Sequence, residues 1–376
     1  MALLTTSCVI GAGCLTLASK HHRGSMNPNL NFIDFDRAPK SHLNNGYVVE
    51  PTEIIPSIRI LEDVFIIPGY DALYTVAGDR IYGTRRSFVP NDLQFAVRTL
   101  EKFNASYAAH APEHVDIPKN YDIREDTTYY GGIAWTHYGH FIMDGMSRFW
   151  ALDLFPSDMP IIYTDYRAPN YIKQPYIGPV LRSLNIAERM FSPNTPVLLK
   201  KVIVPTASIQ NVHRIFNVHS KSHVQAAQAM LADNSPKFKG RKVYLSRSRL
   251  APGLRHSEQE ALLEQKLSAK GFSIVYPETL SLQKQVDIFN HADVIAGTCG
   301  SAFHTSLFTQ NHFTGKIIIL SWEKINFRYL MVNSIKKYSI TYINSCKIEG
   351  VHENSRISSL NIDYNKSYEM IMQTIT

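Results

Sequence analysis

Cysteine is scarce. The four present, Cys8, Cys14, Cys299 and Cys346, form no CxxC pair and no paired zinc-ligand spacing. Zinc sites and dithiol centres are therefore not expected, and free thiols in a reducing compartment are. No dense Lys/Arg run with interleaved aromatics occurs, so nucleic acid is not an expected partner. There is no internal repeat and no low-complexity tract. Residues 2–18 are apolar, but no positive side chain precedes them, which fits a secretory signal poorly. Their length falls at the short edge of a membrane span. Lys20, His21, His22 and Arg23 follow, and for a span the positive-inside rule would leave the body of the chain in the cytoplasm. The expectation is a cytoplasmic location, with peripheral association at the inner membrane as its variant and a buried or disordered leader as the alternative.

What is present reads as a globular chain with a substantial core. Of 376 residues, 44% are hydrophobic and 19% charged, enough for two domains of ordinary size. Twenty Tyr and 18 Phe can serve both cores and stacking surfaces. A net charge of +7 suits a soluble basic protein, a positive cleft for an anionic ligand, or a face for anionic lipid.

The chain is organised around Gly240–Phe308. The apolar segment RKVYL leads into Ser246, Arg247 and Arg249; a Leu-periodic helix follows, then the strand FSIVYPE, a second helix over Ser281–Ala292, the strand DVIAG and the turn TCGSAFH. Strand–helix–strand–helix–strand predicts a parallel sheet with crossover helices. Ligands bind at the carboxyl ends of such strands. Those ends carry Ser246 and Arg247, then Pro277 and Glu278, then Gly297–Ser301. Guanidinium groups and a helix start hold phosphate, and a carboxylate accepts from ribose hydroxyls, so the set suits a nucleoside diphosphate.

Residues 24–56 read mostly as a linker, in which Asp34-Phe35-Asp36 has the form of a short metal motif but fits a loop better. Residues 58–88 alternate apolar segments with turns at Pro68-Gly69 and Gly78-Asp79, predicting antiparallel strands. After Gly131-Gly132, helical spacing runs from His140 to Leu154. It puts His140, Asp144 and Arg148 on one face, either as a His/Asp site with a general base or as a packed helix with a solvated Asp–Arg bridge. Further strands are expected at Ile161–Arg167, Leu199–Thr206 and Gly315–Trp322, with Ser235-Pro236 as a boundary. Two helices are expected in residues 323–376, one near Tyr364–Ile375 packing back across the first domain.

Two blocks carry a family likeness. YGHFIMDGMSRFW (Tyr138–Trp150) resembles the GHFLLDxLPRLW block of glycosyltransferase family 61, and RKVYLSRSR with the segment through GTCGSAF resembles that family's C-terminal block. The likeness covers roughly residues 58–322. It implies an α/β, GT-B-like enzyme with two Rossmann-like domains facing a cleft and a small N-terminal β region. The expected divisions are 1–56 leader and linker, 57–234 acceptor side, 235–322 nucleotide-sugar side and 323–376 a helical extension. The implied reaction is an inverting, metal-independent transfer from a nucleotide sugar, a UDP-sugar favoured, to a glycan acceptor in capsule, lipopolysaccharide or exopolysaccharide synthesis, without a cofactor. The expected donor contacts are Ser246, Arg247, Arg249 (or Arg255), Glu278, Gly300, Ser301 and His304. Asp144 is the first choice for base and His140 the second, with Tyr138 and Trp135 for the acceptor. Cys299-Gly300-Ser301 departs from the family's His-Gly-Ala, Ser257 from its Asn and Ser147 from its Pro. Cys299 therefore keeps open a silent nucleotide-sugar-binding subunit, and the basic cleft keeps open a ketal pyruvyl transferase acting on a polysaccharide.

Overall fold

A computed structural model of the chain describes residues 30–33, 50–52, 55–81, 112–164, 171–210, 214–232, 238, 241–250, 257, 259–310, 313–322, 325, 327–351 and 357–376. The apolar stretch 2–18, Asp34-Phe35-Asp36, Ser235-Pro236, Arg255 and Glu258 lie outside them. Two short strands, Leu30–Ile33 (β1) and Glu50–Thr52 (β2), occupy the segment read as linker.

The first sheet is mixed. Ile58–Ile66 (β3) and Leu73–Thr75 (β4) pair antiparallel around the Pro68-Gly69 turn, as the alternating pattern predicts. They are followed by Asp122–Arg124 (β5), Thr128–Ile133 (β6), Ile161–Thr164 (β7), Met190–Phe191 (β8) and Val197–Pro205 (β9). The order is β4-β3-β9-β6-β7-β8, with β5 also on β9. β6 through β9 run parallel, and β3 is antiparallel to β9. Tyr138–His140 (α1), Ile177–Ser183 (α2) and Lys221–Leu231 (α3) accompany this half. Ile209–Gln210 (β10) and Arg214–Phe216 (β11) join β2 in a small separate sheet.

The second sheet is the parallel one. It holds Lys242–Leu245 (β12), Phe272–Val275 (β13), Val294–Thr298 (β14), Lys316–Ser321 (β15) and Ser339–Asn344 (β16), ordered β1-β16-β15-β14-β12-β13, with every pair parallel. Side chains alternate across it as the strand repeat requires. Val243, Leu245, Ile295, Ile317 and Ile319 enter one apolar cluster, while Tyr244, Val294, Ala296, Ile318 and Leu320 enter another on the opposite face. Glu260–Ser268 (α4) covers the second face through Leu263 and Leu267; Leu282–His291 (α5) covers the first through Val286 and Phe289. β12 therefore has β13 on one side and β14 on the other, with connecting helices on opposite faces. The crevice between the loops leaving β12 and β14 is the switch point at which open α/β sheets bind ligands.

The tail departs from the expected helical extension. Phe327–Lys336 (α6) leads into β16, which is a full member of the parallel sheet, and Cys346–Val351 (β17) pairs with Ile357–Ile362 (β18) as a hairpin. Tyr364–Ile375 (α7) is a helix where the pattern places it, started by the Asp363 side chain accepting from the Lys366 amide at 3.0 Å. It packs on α4, β15 and β16 rather than across the first sheet, because Ile371 belongs to the apolar cluster on that face. The two sheets are not separate in their cores. One continuous cluster takes in Phe141, Ile142, Ile177 and Val180 from the first half and Val243, Phe289, Phe303, Phe308 and Met331 from the second.

Candidate functional site

The segment expected to be one helix from His140 to Leu154 is broken into three. α1 makes a single turn, Phe141–Gly145 widens into a π turn, and Phe149–Leu154 tightens into a 3-10 helix. The Met146 amide donates to the Phe141 carbonyl at 3.0 Å, so it no longer serves the Ile142 carbonyl four residues back. The His223 ring fills that gap, with Nε2 2.8 Å from the Ile142 carbonyl and Nδ1 2.9 Å from that of His219. Burial pushes the His223 ring down to about 4; neutral at neutral pH, it has one N–H and donates to one of these two carbonyls at a time. Further along, Ser208 holds the Ser147 carbonyl through its amide and its hydroxyl, each at 2.7 Å. π turns of this kind recur at functional sites, because they re-aim side chains that a regular helix would space evenly.

The re-aiming separates Asp144 from Arg148. Arg148 turns into the core, over the Tyr130 ring at 5.2 Å and bonded to the Pro205 carbonyl, so the expected Asp–Arg bridge does not form. Asp144 pairs with Arg328 from α6, Oδ2 to Nη1 at 3.0 Å and Oδ1 to Nη2 at 3.2 Å. His140 Nδ1 lies 3.0 Å from Asp144 Oδ2. The carboxylate side chain is 5% exposed, that of Arg328 8% and that of His140 42%. Burial opposes ionisation of Asp144, but the Arg328 charge and the bond from His140 outweigh it and hold the carboxyl well below the usual range. A carboxylate accepts only, so His140 Nδ1 is the donor in this bond and Nε2 is left as the ring's other nitrogen. The Trp135 ring stacks on His140 at 4.8 Å, and His137 meets it edge-on at 5.2 Å.

The carboxyl edge of the parallel sheet meets this turn directly. Gly139 packs so closely that an added Cβ would lie 3.1 Å from Ser301 Cβ and 3.1 Å from His304 Cδ2. The Tyr138 hydroxyl bonds Thr305 Oγ1 at 2.6 Å. Arg247 leaves the end of β12 and reaches the end of β14, where Nη1 lies 3.4 Å from the Cys299 carbonyl and beside Gly300. Ser301 opens a 3-10 helix, Ser301–Phe308, in place of the expected α-helix start. Its first amides have no acceptor within the helix and belong to the same edge. Arg249 is exposed and lies over the Tyr276 ring at 3.8 Å, and Glu278 is exposed in the turn after β13. Among the described residues, no three His, Cys, Asp or Glu side chains form a group able to hold a metal ion.

Two of the expected contact residues, Ser246 and His304, are buried, and a third, Tyr138, is partly buried and bonded within the fold. Ser246 is fully buried, and its hydroxyl donates to Glu264 Oε1 at 2.5 Å, so it holds the loop instead of facing a ligand. His304 is 5% exposed beneath Gly139; burial, with Arg328 and His140 nearby, pushes it down to about 3, so it offers no charge to a phosphate at neutral pH. The Tyr138 hydroxyl is committed to Thr305, which leaves Trp135 the better placed of the two acceptor candidates. The Cys299 thiol is buried in the shared apolar cluster, and the residue meets Arg247 through its carbonyl. Three buried or partly buried charged residues next to these groups escape sequence reasoning. Arg328 has no local signal, being 184 positions from its partner. Glu260 and Glu264 do have one, two acidic residues four apart at the start of a helix that follows the Arg-bearing strand.

Residues 138–317 match the family model Glycosyltransferase 61. The match begins at Tyr138, ahead of the π turn, and includes His140, Asp144, Arg247 and Gly300. No curated protein matches the chain.

Proposed function

The chain carries a glycosyltransferase family 61 domain and is a glycosyltransferase; from that premise we propose that it moves a sugar, with inversion, from a nucleotide-sugar donor to a glycan acceptor in polysaccharide synthesis. The acceptor hydroxyl oxygen attacks the anomeric carbon as the bond to the diphosphate breaks. The hydroxyl proton passes to His140 Nε2, and the electron pair leaves on the diphosphate oxygen. Arg247, with the amides at Gly300 and Ser301, takes up that charge. Arg249 and Glu278 sit further along the same edge, on the nucleoside side. Trp135 flanks the acceptor. A UDP-sugar donor and a GT-B division, with residues 57–234 on the acceptor side and 235–322 on the donor side, belong to the same reading.

One observation carries it: the buried Arg328–Asp144–His140 chain ends in an exposed imidazole beside the switch-point crevice. It favours His140 over Asp144 as the base, the opposite of the order drawn from the sequence. A carboxylate held ionised by a two-point guanidinium contact is a weak base, whereas an imidazole whose other nitrogen is fixed by that carboxylate is well placed. His140→Gln should lower turnover by about 100-fold or more while sparing donor binding. Near-normal turnover in His140→Gln, with loss in Asp144→Asn, would restore the carboxylate as base. The glycoside formed on the acceptor, read by proton NMR, should carry the anomeric configuration opposite to the donor's. Donor binding without turnover on any acceptor would return the silent-subunit reading, and stabilisation by phosphoenolpyruvate alone the pyruvyl one.

A further inference from the structure

The loop that carries Arg247 is anchored at a single carboxylate. Ser246 and Ser248 both donate their hydroxyls to Glu264 Oε1, each at 2.5 Å, and the Ser248 amide closes back on Ser246 Oγ at 3.0 Å. Arg247 stands between these two serines. The other oxygen, Oε2, accepts from the Tyr276 hydroxyl at 2.9 Å, and the Tyr276 ring carries Arg249. Glu264 lies on α4, which spans β12 to β13, so one side chain ties together the carboxyl ends of two adjacent strands. Charge-assisted bonds of this length are the strong ones, and three donors on two oxygens leave the carboxylate little freedom. Its distance from the crevice is bridged by the loop itself, so Glu264 need not touch a ligand to govern one.

We propose that Glu264 is a positioning residue for nucleoside diphosphate binding, fixing the Ser246–Arg247–Ser248 loop so that the Arg247 guanidinium stays against Gly300. The inference rests on the role given to Arg247 above. A free arginine of this length samples many rotamers, and ordering it on ligand arrival weakens binding. With the flanking serines tied down, that ordering is already done.

The test is a double-mutant cycle on the full chain, read as the Kd for UDP and for GDP by calorimetry, with melting temperatures measured alongside. Glu264→Ala should weaken binding about tenfold or more, and Arg247→Ala by at least as much. Because Glu264 acts through Arg247, the double variant should bind no more weakly than Arg247→Ala alone. Glu264→Gln keeps one oxygen for the serines and should recover most of the affinity, while Glu264→Leu should not. If Glu264→Ala does not fold, Ser248→Ala replaces it in the cycle, since it breaks the loop's bond and leaves α4 intact. Unchanged affinity in the Glu264 (or Ser248) variant, or losses that multiply in the double variant, would overturn the positioning role and leave Arg247 standing. An Arg247→Ala variant that binds like wild type, or a wild type that binds neither nucleotide, would overturn the Arg247 reading and this inference with it.

Discussion

Gly300 has an extended backbone, φ −171°, that any residue can adopt, so its value lies in the missing side chain. A Cβ there would overlap Arg247 Nη1, the mobile end of a flexible side chain rather than fixed backbone. Gly300→Ala should therefore fold with a melting temperature close to wild type and lose about tenfold or more in nucleoside diphosphate affinity, as the guanidinium is pushed out of the crevice. A large fall in melting temperature would instead mark Gly300 as a packing residue. Residues of this kind are legible in sequence, because a Gly after a buried strand, at a sheet's carboxyl edge, marks a place where another group approaches the backbone closely. Ser246 and His304 are not legible in the same way: strand-end position shows which residues approach the edge, not which way their side chains turn. Arg328 is invisible, since nothing in FRYLMVNSIK ties it to a carboxylate in another block.

At the scale of elements, the parallel sheet is legible nearly strand by strand, because alternation of buried side chains and intervening amphipathic helices leaves little choice of topology. The segment from Tyr138 to Leu154 is not. A 3.6-residue repeat runs through GHFIMDGMSRFW, but the widened turn is set by partners outside it, His223 beneath and Arg328 beside it, and no local pattern records them. His223→Phe tests this. It keeps an aromatic ring against Phe308, whose ring centroid is 5.2 Å from that of His223, but leaves the Ile142 carbonyl buried without its donor. The expected loss is about 1–3 kcal/mol of stability by chemical denaturation. Turnover should fall more than donor affinity, because the turn carries His140 and not Arg247. Equal loss in both would place His223 under the whole site rather than under the turn.

For the whole molecule, the Asp144–Arg328 pair joins the two halves across their shared core. Arg328→Ala leaves a buried carboxylate without its cation and should cost roughly 3–5 kcal/mol, whereas the double change Asp144→Asn, Arg328→Met should recover much of it. No recovery would place the cost in packing instead. Two buried carboxyls give stability opposite pH dependences. Asp144 is held below the usual range, so its contribution is present at neutral pH and is lost as pH falls below the ordinary carboxylate range. Burial pushes Glu260 up to about 7, outweighing the bonds from Tyr244 and Thr298 and the Arg247 charge, which pull the other way. The native state thus binds its proton more tightly than the unfolded chain does. The Glu260 contribution is fully present below its unfolded value and is lost as pH rises through about 7. Glu260→Gln should flatten the melting temperature between pH 5 and 8 on the order of what a pKa shift of this size supplies. An unchanged slope would assign it to another group.

The pairing of β1 with β16 sets an order in time. Leu30 lies beside Ile340 and Ile33 beside Ile343, so a strand made among the first is completed only by one made among the last. On the ribosome, β12 to β15 can assemble while β1 waits for its neighbour. Arg328 is translated after every strand of the first sheet, so Asp144 stays without its cation through most of synthesis. A chain that stops short of α6 therefore lacks the Asp144–Arg328 pair, and the site proposed above would be incomplete on it.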